Sequence, residues 1–176
     1  MSAGLDDREQ AGENTVSARP TAVLMVGATG SIGRLVVEEA TRHGYATRAL
    51  ARDPEKAGRL LPETEVIVGD VTRPETLSHA VDGVDAVVFT LGSDGAGKVG
   101  AESVDYGGVR NVLNALGSRT ARIALMTSIG VTNRAGAYNR STEAHDWKRR
   151  SERLVRGQRD AVHDRATRLV RLQRAG

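Results

Sequence analysis

Residues 23–33 read Val-Leu-Met-Val-Gly-Ala-Thr-Gly-Ser-Ile-Gly, and Arg34-Leu35-Val36-Val37-Glu38-Glu39-Ala40 follows. An unbroken apolar run suits a central parallel strand covered on both faces. The glycines stand at G-x-x-G-x-x-G, and the segment after them has the apolar spacing of a helix. Gly27 permits a sharp turn out of the strand. Gly30 lets backbone approach a ligand with no Cβ in the way, and Gly33 lets the helix pack close to the sheet. The free N–H groups at the helix start then face an anion, which in this strand–turn–helix context points to the pyrophosphate of a dinucleotide.

The surrounding chain has 176 residues, enough for one domain with a sizeable core. Hydrophobic residues make up 39% and charged ones 27%, the balance of a soluble globular protein. A net charge of +3 raises a nucleic-acid reading, but 3% aromatic residues are too few for base-stacking platforms. With no cysteine, disulfides and thiolate metal sites are excluded. His43, His79 and His163 lack ligand spacing, so no metal site is expected. No apolar run nears the roughly 20 residues of a membrane span. Residues 1–20 carry Asp6, Asp7, Glu9 and Glu13 and no apolar core. They are expected to form a disordered polar arm rather than a secretory signal, with a cytoplasmic location for the protein.

Strand and helix alternate along the rest. The first helix stops at His43-Gly44, and strands are expected over 46–51, 66–68, 85–90 and 122–127. Asp53-Pro54-Glu55 opens a second helix, with Asp as N-cap and Pro in the first turn. Thr72 and Glu75 fit a capping box for a helix reaching Val81. A glycine-rich loop over 91–100 leads to a helix over 101–117 that buries Val104, Val109, Val112, Leu113 and Leu116. A charged helix runs near 143–155. This alternation predicts right-handed crossovers and a doubly wound α/β fold, a Rossmann-type parallel sheet between two helical layers. The ligand crevice then lies at the carboxyl ends of the strands.

Arg52 ends the second strand where many dinucleotide folds place an acid, and Arg48 lies four residues earlier. A guanidinium grips a 2′-phosphate bidentately, which favours NADP, while Asp53 keeps NAD open. The plainer reading of Arg52 is a solvated surface charge. Asp70, after the third strand, is either an acceptor for the adenine amino group or a helix-entry cap. Thr90-Leu91-Gly92 lies beside the nicotinamide end or forms an ordinary loop. The basic run Lys148-Arg149-Arg150 reads as a solvated helix face offset by Glu143, Asp146 and Glu152. Nucleic acid is not the expected partner.

Six stretches carry a family resemblance: GATGSIG at 27–33, ALARDPEK at 49–56, GDVTRPETL at 69–77, GVDAVVFTLGS at 83–93, MTSIGVTNR at 126–134 and KRRSERLVR at 148–156. From 21 to 156 the chain resembles the atypical short-chain dehydrogenase/reductase family, in its NAD(P)H-binding, NmrA-like branch. The resemblance implies a Rossmann fold that holds NADP, or NAD, at Gly27, Thr29, Gly30, Ser31, Ile32, Gly33, Arg52, Asp70, Val71, Thr90, Leu91 and Gly92. It implies a Ser or Thr after the fifth strand and a Tyr-x-x-x-Lys pair on the next helix. Ser128 and Lys148 match these catalytic positions, but Ala144 stands where the tyrosine belongs. Lys148 would bind ribose and Ser128 would orient a substrate oxygen. Tyr138 and His145 are nearby candidates for the proton donor but lack the family spacing; His145 either supplies a proton near neutral pH or, as expected, is a solvated helix histidine. Two functions follow from the resemblance: an oxidoreductase passing hydride to or from a small carbonyl or alcohol, and a non-catalytic NADP(H)-sensing regulator that binds a protein partner.

Residues 157–176 leave the family pattern, which continues with a sixth strand resembling Y-T-I-V-R-P-G-W-F. A DNA string that encodes residues 162–176 can be written so that, read one base later, it spells Y-T-I-V-R-P-G-W-F-D-Y-N-G-P. Three regions are therefore expected: the arm at 1–20, a cofactor-binding domain at 21–156, and an aberrant tail at 157–176 left by a frameshift near Arg156. The sheet would keep five strands and lose the sixth, and the tail would be loose or form a poorly packed helix beside an exposed edge. Val162, Ala166, Leu169 and Val170 otherwise fit one face of a true terminal helix.

Overall fold

The computed structural model describes residues 21–93 and 95–173. The arm expected over 1–20 lies outside them. Five parallel strands form one sheet in the order β3-β2-β1-β4-β5: β1 Ala22–Val26, β2 Ala46–Ala51, β3 Glu65–Val68, β4 Ala86–Phe89 and β5 Arg122–Leu125. The strand of the opening stretch is the central one, and all of it is buried. Val26 lies opposite Leu50 on one side and Phe89 on the other. The chain builds outward from β1 in one direction and then in the other, so a crevice opens beside the carboxyl end of β1, at the topological switch point.

Alternate residues of β1 feed two cores. Leu24 and Val26 join Leu50, Ile67, Val87, Phe89, Val109 and Val112 on one face, together with Val155. Val23 and Met25 join Ala28, Val37, Ala49 and Leu61 on the other. The second face is covered by α1 (Ser31–Arg42) and α2 (Pro54–Leu60). A groove of about 860 Å³ runs between α1 and the segment from Leu60 to Thr64. On the first face, α3 (Gly97–Gly100) continues through a π-helical stretch (Ala101–Gly108) into α4 (Val109–Leu116). Beyond β5 come α5 (Ala137–Thr142) and α6 (Ala144–Gln173).

Several local signals give the expected structure. Asp53 caps α2, its Oδ1 accepting the Lys56 backbone N–H at 2.9 Å, with Pro54 in the first turn. Gly44, with φ of 78°, follows the end of α1. The capping-box reading of Thr72 and Glu75 is corrected. Asp70 Oδ1 accepts both the Thr72 N–H and the Thr72 hydroxyl at 2.8 Å, and the Asp70 N–H donates to Thr76 Oγ1 at 3.0 Å. These side-chain bonds close a compact turn in competition with a helix. Only a 3₁₀ turn over Pro74–Thr76 remains, with Glu75 paired to Arg73. The helix expected over 101–117 starts earlier and is π-wound for eight residues, and α5 lies between the strand expected over 122–127 and the charged helix, where no element is expected from the sequence. The charged helix does not stop at Val155. It passes through Gly157 without a break and runs to Gln173.

Candidate functional site

The glycine turn is shaped as its spacing requires. Gly27 has φ of 94°, a conformation L side chains rarely adopt, and a Cβ there would stand 2.8 Å from Thr90 Oγ1. A Cβ on Gly33 would lie 2.1 Å from the Gly27 carbonyl oxygen. Gly30 donates to that same oxygen at 3.1 Å and is the N-cap of α1. No side chain caps α1, and its first turn holds no acid. A capping side chain typically contributes about 1 kcal/mol, so this helix start forgoes that stabilisation and leaves its N–H groups able to receive an anion. The neighbouring α2, capped by Asp53, shows the contrast. Ser31 and Ile32 are exposed around the opening, and Thr29 is half-buried.

On the side of β2 and β3, Arg52 is exposed and forms no ion pair among the described residues. Its guanidinium acts on Asp70. Burial pushes the Asp70 carboxyl up, but hydrogen bonds from Thr72 and the charges of Arg52 and Arg73 outweigh it and hold the group below the usual carboxylate range. Asp70 is thus both the turn former and an anion on which the Arg52 charge acts. Asp53 is occupied as the cap of α2. Arg48 does not join Arg52: it pairs with Glu65 at 2.7 Å and donates to the Asp82 carbonyl at 2.6 Å, toward the amino ends of the strands.

On the side of β4, Thr90 packs on Gly27, and a Cβ on Gly108 would meet Val71 Cγ2 at 2.9 Å and Leu91 Cδ1 at 3.1 Å. Val71 and Leu91 therefore converge on the π-helical stretch, while Gly92 is exposed. Lys148 reaches the same place from α6. Its Nζ donates to the Leu91 carbonyl at 3.0 Å and to Asp105 Oδ1 at 2.9 Å. The Ser128 hydroxyl, three residues past β5, is buried with no partner among the described residues. Of the basic run, Lys148 therefore turns inward, while Arg150 lies over the Trp147 ring at 4.1 Å. His145 is buried rather than solvated. Its N–H donates to Asn139 Oδ1 at 2.9 Å, its Nδ1 lies 3.2 Å from the Asn133 carbonyl oxygen, and its ring stands 5.2 Å from that of Tyr138. Ala144 is buried beside it.

Asp105 and Ser151 join this cluster around Lys148 although motif reading passes over them. The Ser151 hydroxyl donates to the Asp105 carbonyl at 2.6 Å, joining α6 to the π-helical stretch. The available signal was an acid in helical register with Val109, Val112 and Leu116 on the buried stripe. Among the described residues no group of acids and histidines could hold a metal ion, and no helix is long and apolar enough to cross a membrane.

An uncapped helix start behind a tight glycine turn, at the switch point of a parallel sheet, is a dinucleotide-binding arrangement. Residues 27–161 match the family described as NAD(P)H-binding, and the chain belongs to that family. A putative NAD-dependent epimerase/dehydratase from Bacillus halodurans superposes with a TM-score of 0.67 at 25% identity, over 75% of this chain and 63% of that one. The photosystem II assembly factor Ycf39 of Synechocystis is 35% identical over 95 residues, which is 53% of this chain and 29% of that protein. The divinyl chlorophyllide a 8-vinyl-reductase of Arabidopsis thaliana is 35% identical over 104 residues, 52% of this chain and 25% of that protein. The chain thus spans less than a third of the length of these two relatives.

Proposed function

We propose that the protein is an NADP(H)-using oxidoreductase of the atypical short-chain, NmrA-like type that passes hydride to or from a small carbonyl or alcohol. The observation that carries this reading is the position of Lys148, pinned at Leu91 on the far side of the crevice from the uncapped start of α1. The residues fit the dinucleotide. The N–H groups of Ser31, Ile32 and Gly33 would take the pyrophosphate, with Gly27, Thr29 and Gly30 leaving room for it. Arg52, exposed and without an ion pair among the described residues, would take a 2′-phosphate, and Asp70 and Val71 would border the adenosine. Thr90, Leu91 and Gly92 would line the nicotinamide end. Bound there, the nicotinamide supplies the hydride. Lys148 holds the ribose, and the unpartnered Ser128 hydroxyl orients the substrate oxygen.

A second reading, a non-catalytic NADP(H)-responsive protein that engages a protein partner, is favoured by Ala144, which puts a methyl group where the proton-donating tyrosine of the family stands. The relative named as a photosystem II assembly factor supports it as well. Titrating NADPH and NADH by nicotinamide fluorescence, followed by turnover with a panel of carbonyl compounds, separates the cases. Tight NADPH binding with oxidation supports the enzyme, and tight binding without oxidation supports the regulator. Failure to bind either nucleotide refutes both.

A further inference from the structure

Resting on the cofactor reading above, we infer that Asp105 is a positioning residue. It holds Lys148 against Leu91 so that one ammonium N–H is left to face the nicotinamide ribose. The Asp105 side chain is 1% exposed and that of Lys148 is 12% exposed, so the pair lies out of solvent. An ammonium has three N–H donors. Here the Leu91 carbonyl takes one and Asp105 Oδ1 takes another. These two acceptors, from the loop after β4 and from the π-helical stretch, fix Nζ from two directions. A four-carbon stem would otherwise sample many rotamers, and the pairing removes that freedom before any ligand arrives.

The backbone around Asp105 is arranged for this contact. Asp105 and Gly108 share the π-helical stretch, a winding that recurs at functional sites. Within one turn it lets Gly108 press on Val71 and Leu91 while Asp105 meets Lys148. The Ser151 hydroxyl bond to the Asp105 carbonyl fixes the same turn to α6 from behind. Asp105 Oδ2 is buried with no partner among the described residues, so Lys148 is the one counter-charge bonded to this carboxylate. A buried carboxylate is costly unless paired, which makes the pair a stability liability that a purely structural site would replace with apolar groups.

The test compares two probes on the full chain. NADPH contains the nicotinamide ribose, and 2′,5′-ADP contains only the adenosine half. Asp105→Asn should weaken NADPH about tenfold, the effect of losing one charge-assisted hydrogen bond, and leave 2′,5′-ADP binding unchanged. The double variant Asp105→Asn/Lys148→Met removes both charges together and leaves none uncompensated in the interior. It should also bind 2′,5′-ADP as the parent does, with NADPH no weaker than in Lys148→Met alone. Equal losses for both probes, or no loss for either, overturn the positioning role while the cofactor reading stands. A parent chain that binds neither probe overturns the cofactor reading and this one with it.

Discussion

Replacing Gly33 by alanine adds one methyl group where, among the described glycines, a Cβ would meet its closest neighbour. The new Cβ would lie 2.1 Å from the Gly27 carbonyl oxygen and 2.9 Å from both the Gly27 carbonyl carbon and Thr90 Oγ1, where real Cβ atoms keep about 3.0 Å or more. The helix must therefore move off the turn by about 0.9 Å, the difference between 3.0 and 2.1 Å. Neither backbone neighbour can swing aside, because the Gly27 oxygen also accepts the Gly30 N–H that closes the turn. Overpacking of this kind costs about 1–3 kcal/mol. At about 2–4 °C per kcal/mol for a chain of this size, 2 kcal/mol lowers Tm by about 4–8 °C. Two companions isolate the cause. Gly30 has an ordinary φ of −74°, and a Cβ there stands 3.3 Å from the same oxygen. Gly30→Ala asks for only a few tenths of an ångström and should lower Tm by less than Gly33→Ala does, yet lose at least about tenfold in NADPH affinity as the methyl crowds the anion position. Gly58, inside α2 with nothing near its Cβ position, should become more stable as alanine by about 0.5–1 kcal/mol. Differential scanning fluorimetry with and without NADPH reads all three. A Gly33→Ala protein that melts with the parent would show that helix and turn are not in the contact described.

Arg52→Ala should weaken NADPH by about tenfold or more and leave NADH unchanged, read by nicotinamide fluorescence. Equal losses for the two would remove Arg52 from 2′-phosphate recognition. The Asp70 carboxyl is held below its ordinary range, so its stabilisation is present above the unfolded value near pH 4 and is lost as pH falls through the lower folded value. Urea midpoints for the parent and Asp70→Asn should therefore differ at pH 7 and converge toward pH 2, and a gap independent of pH contradicts the linkage. For the tail, sequencing the gene should show that the base string for residues 162–176, read one base later, spells a strand close to Y-T-I-V-R-P-G-W-F. A string that spells no such strand in either shifted frame rejects the frameshift.

What the sequence disclosed follows the range of each interaction. The turn at Gly27–Gly33 and the cap at Asp53-Pro54 are settled within a few neighbouring residues, so spacing alone located them. Arg48 was grouped with Arg52 because they are neighbours in sequence, but its partners Glu65 and Asp82 lie 17 and 34 residues away. Thr72 fitted a helix cap, yet the competing acceptor was Asp70, two residues back, and nothing in the spacing ranks one bond above the other. His145 looked solvated on a charged helix. The Asn139 side chain and the Tyr138 ring that enclose it sit on α5, an element too short to leave a periodic signal. The motif located Lys148, but its charge partner Asp105 is 43 residues away on a stretch whose π winding an apolar pattern does not disclose.

The two faces of the sheet are sealed unequally, and this has a dynamic consequence. The face under α4 and α6 is packed with Phe89, leucines and valines, whereas α1 buries only Gly33 and Val37, and α2 only Ala57. Amide exchange should therefore proceed first through opening of the α1–α2 layer, at a free energy well below global unfolding. That layer also carries the anion-facing helix start. Nucleotide bound there closes the weaker half of the protein, so protection should rise most in α1, and saturation at one hundred times Kd should add about 2.7 kcal/mol. On this reading, nucleotide binding and the stability of the α1–α2 layer should rise and fall together.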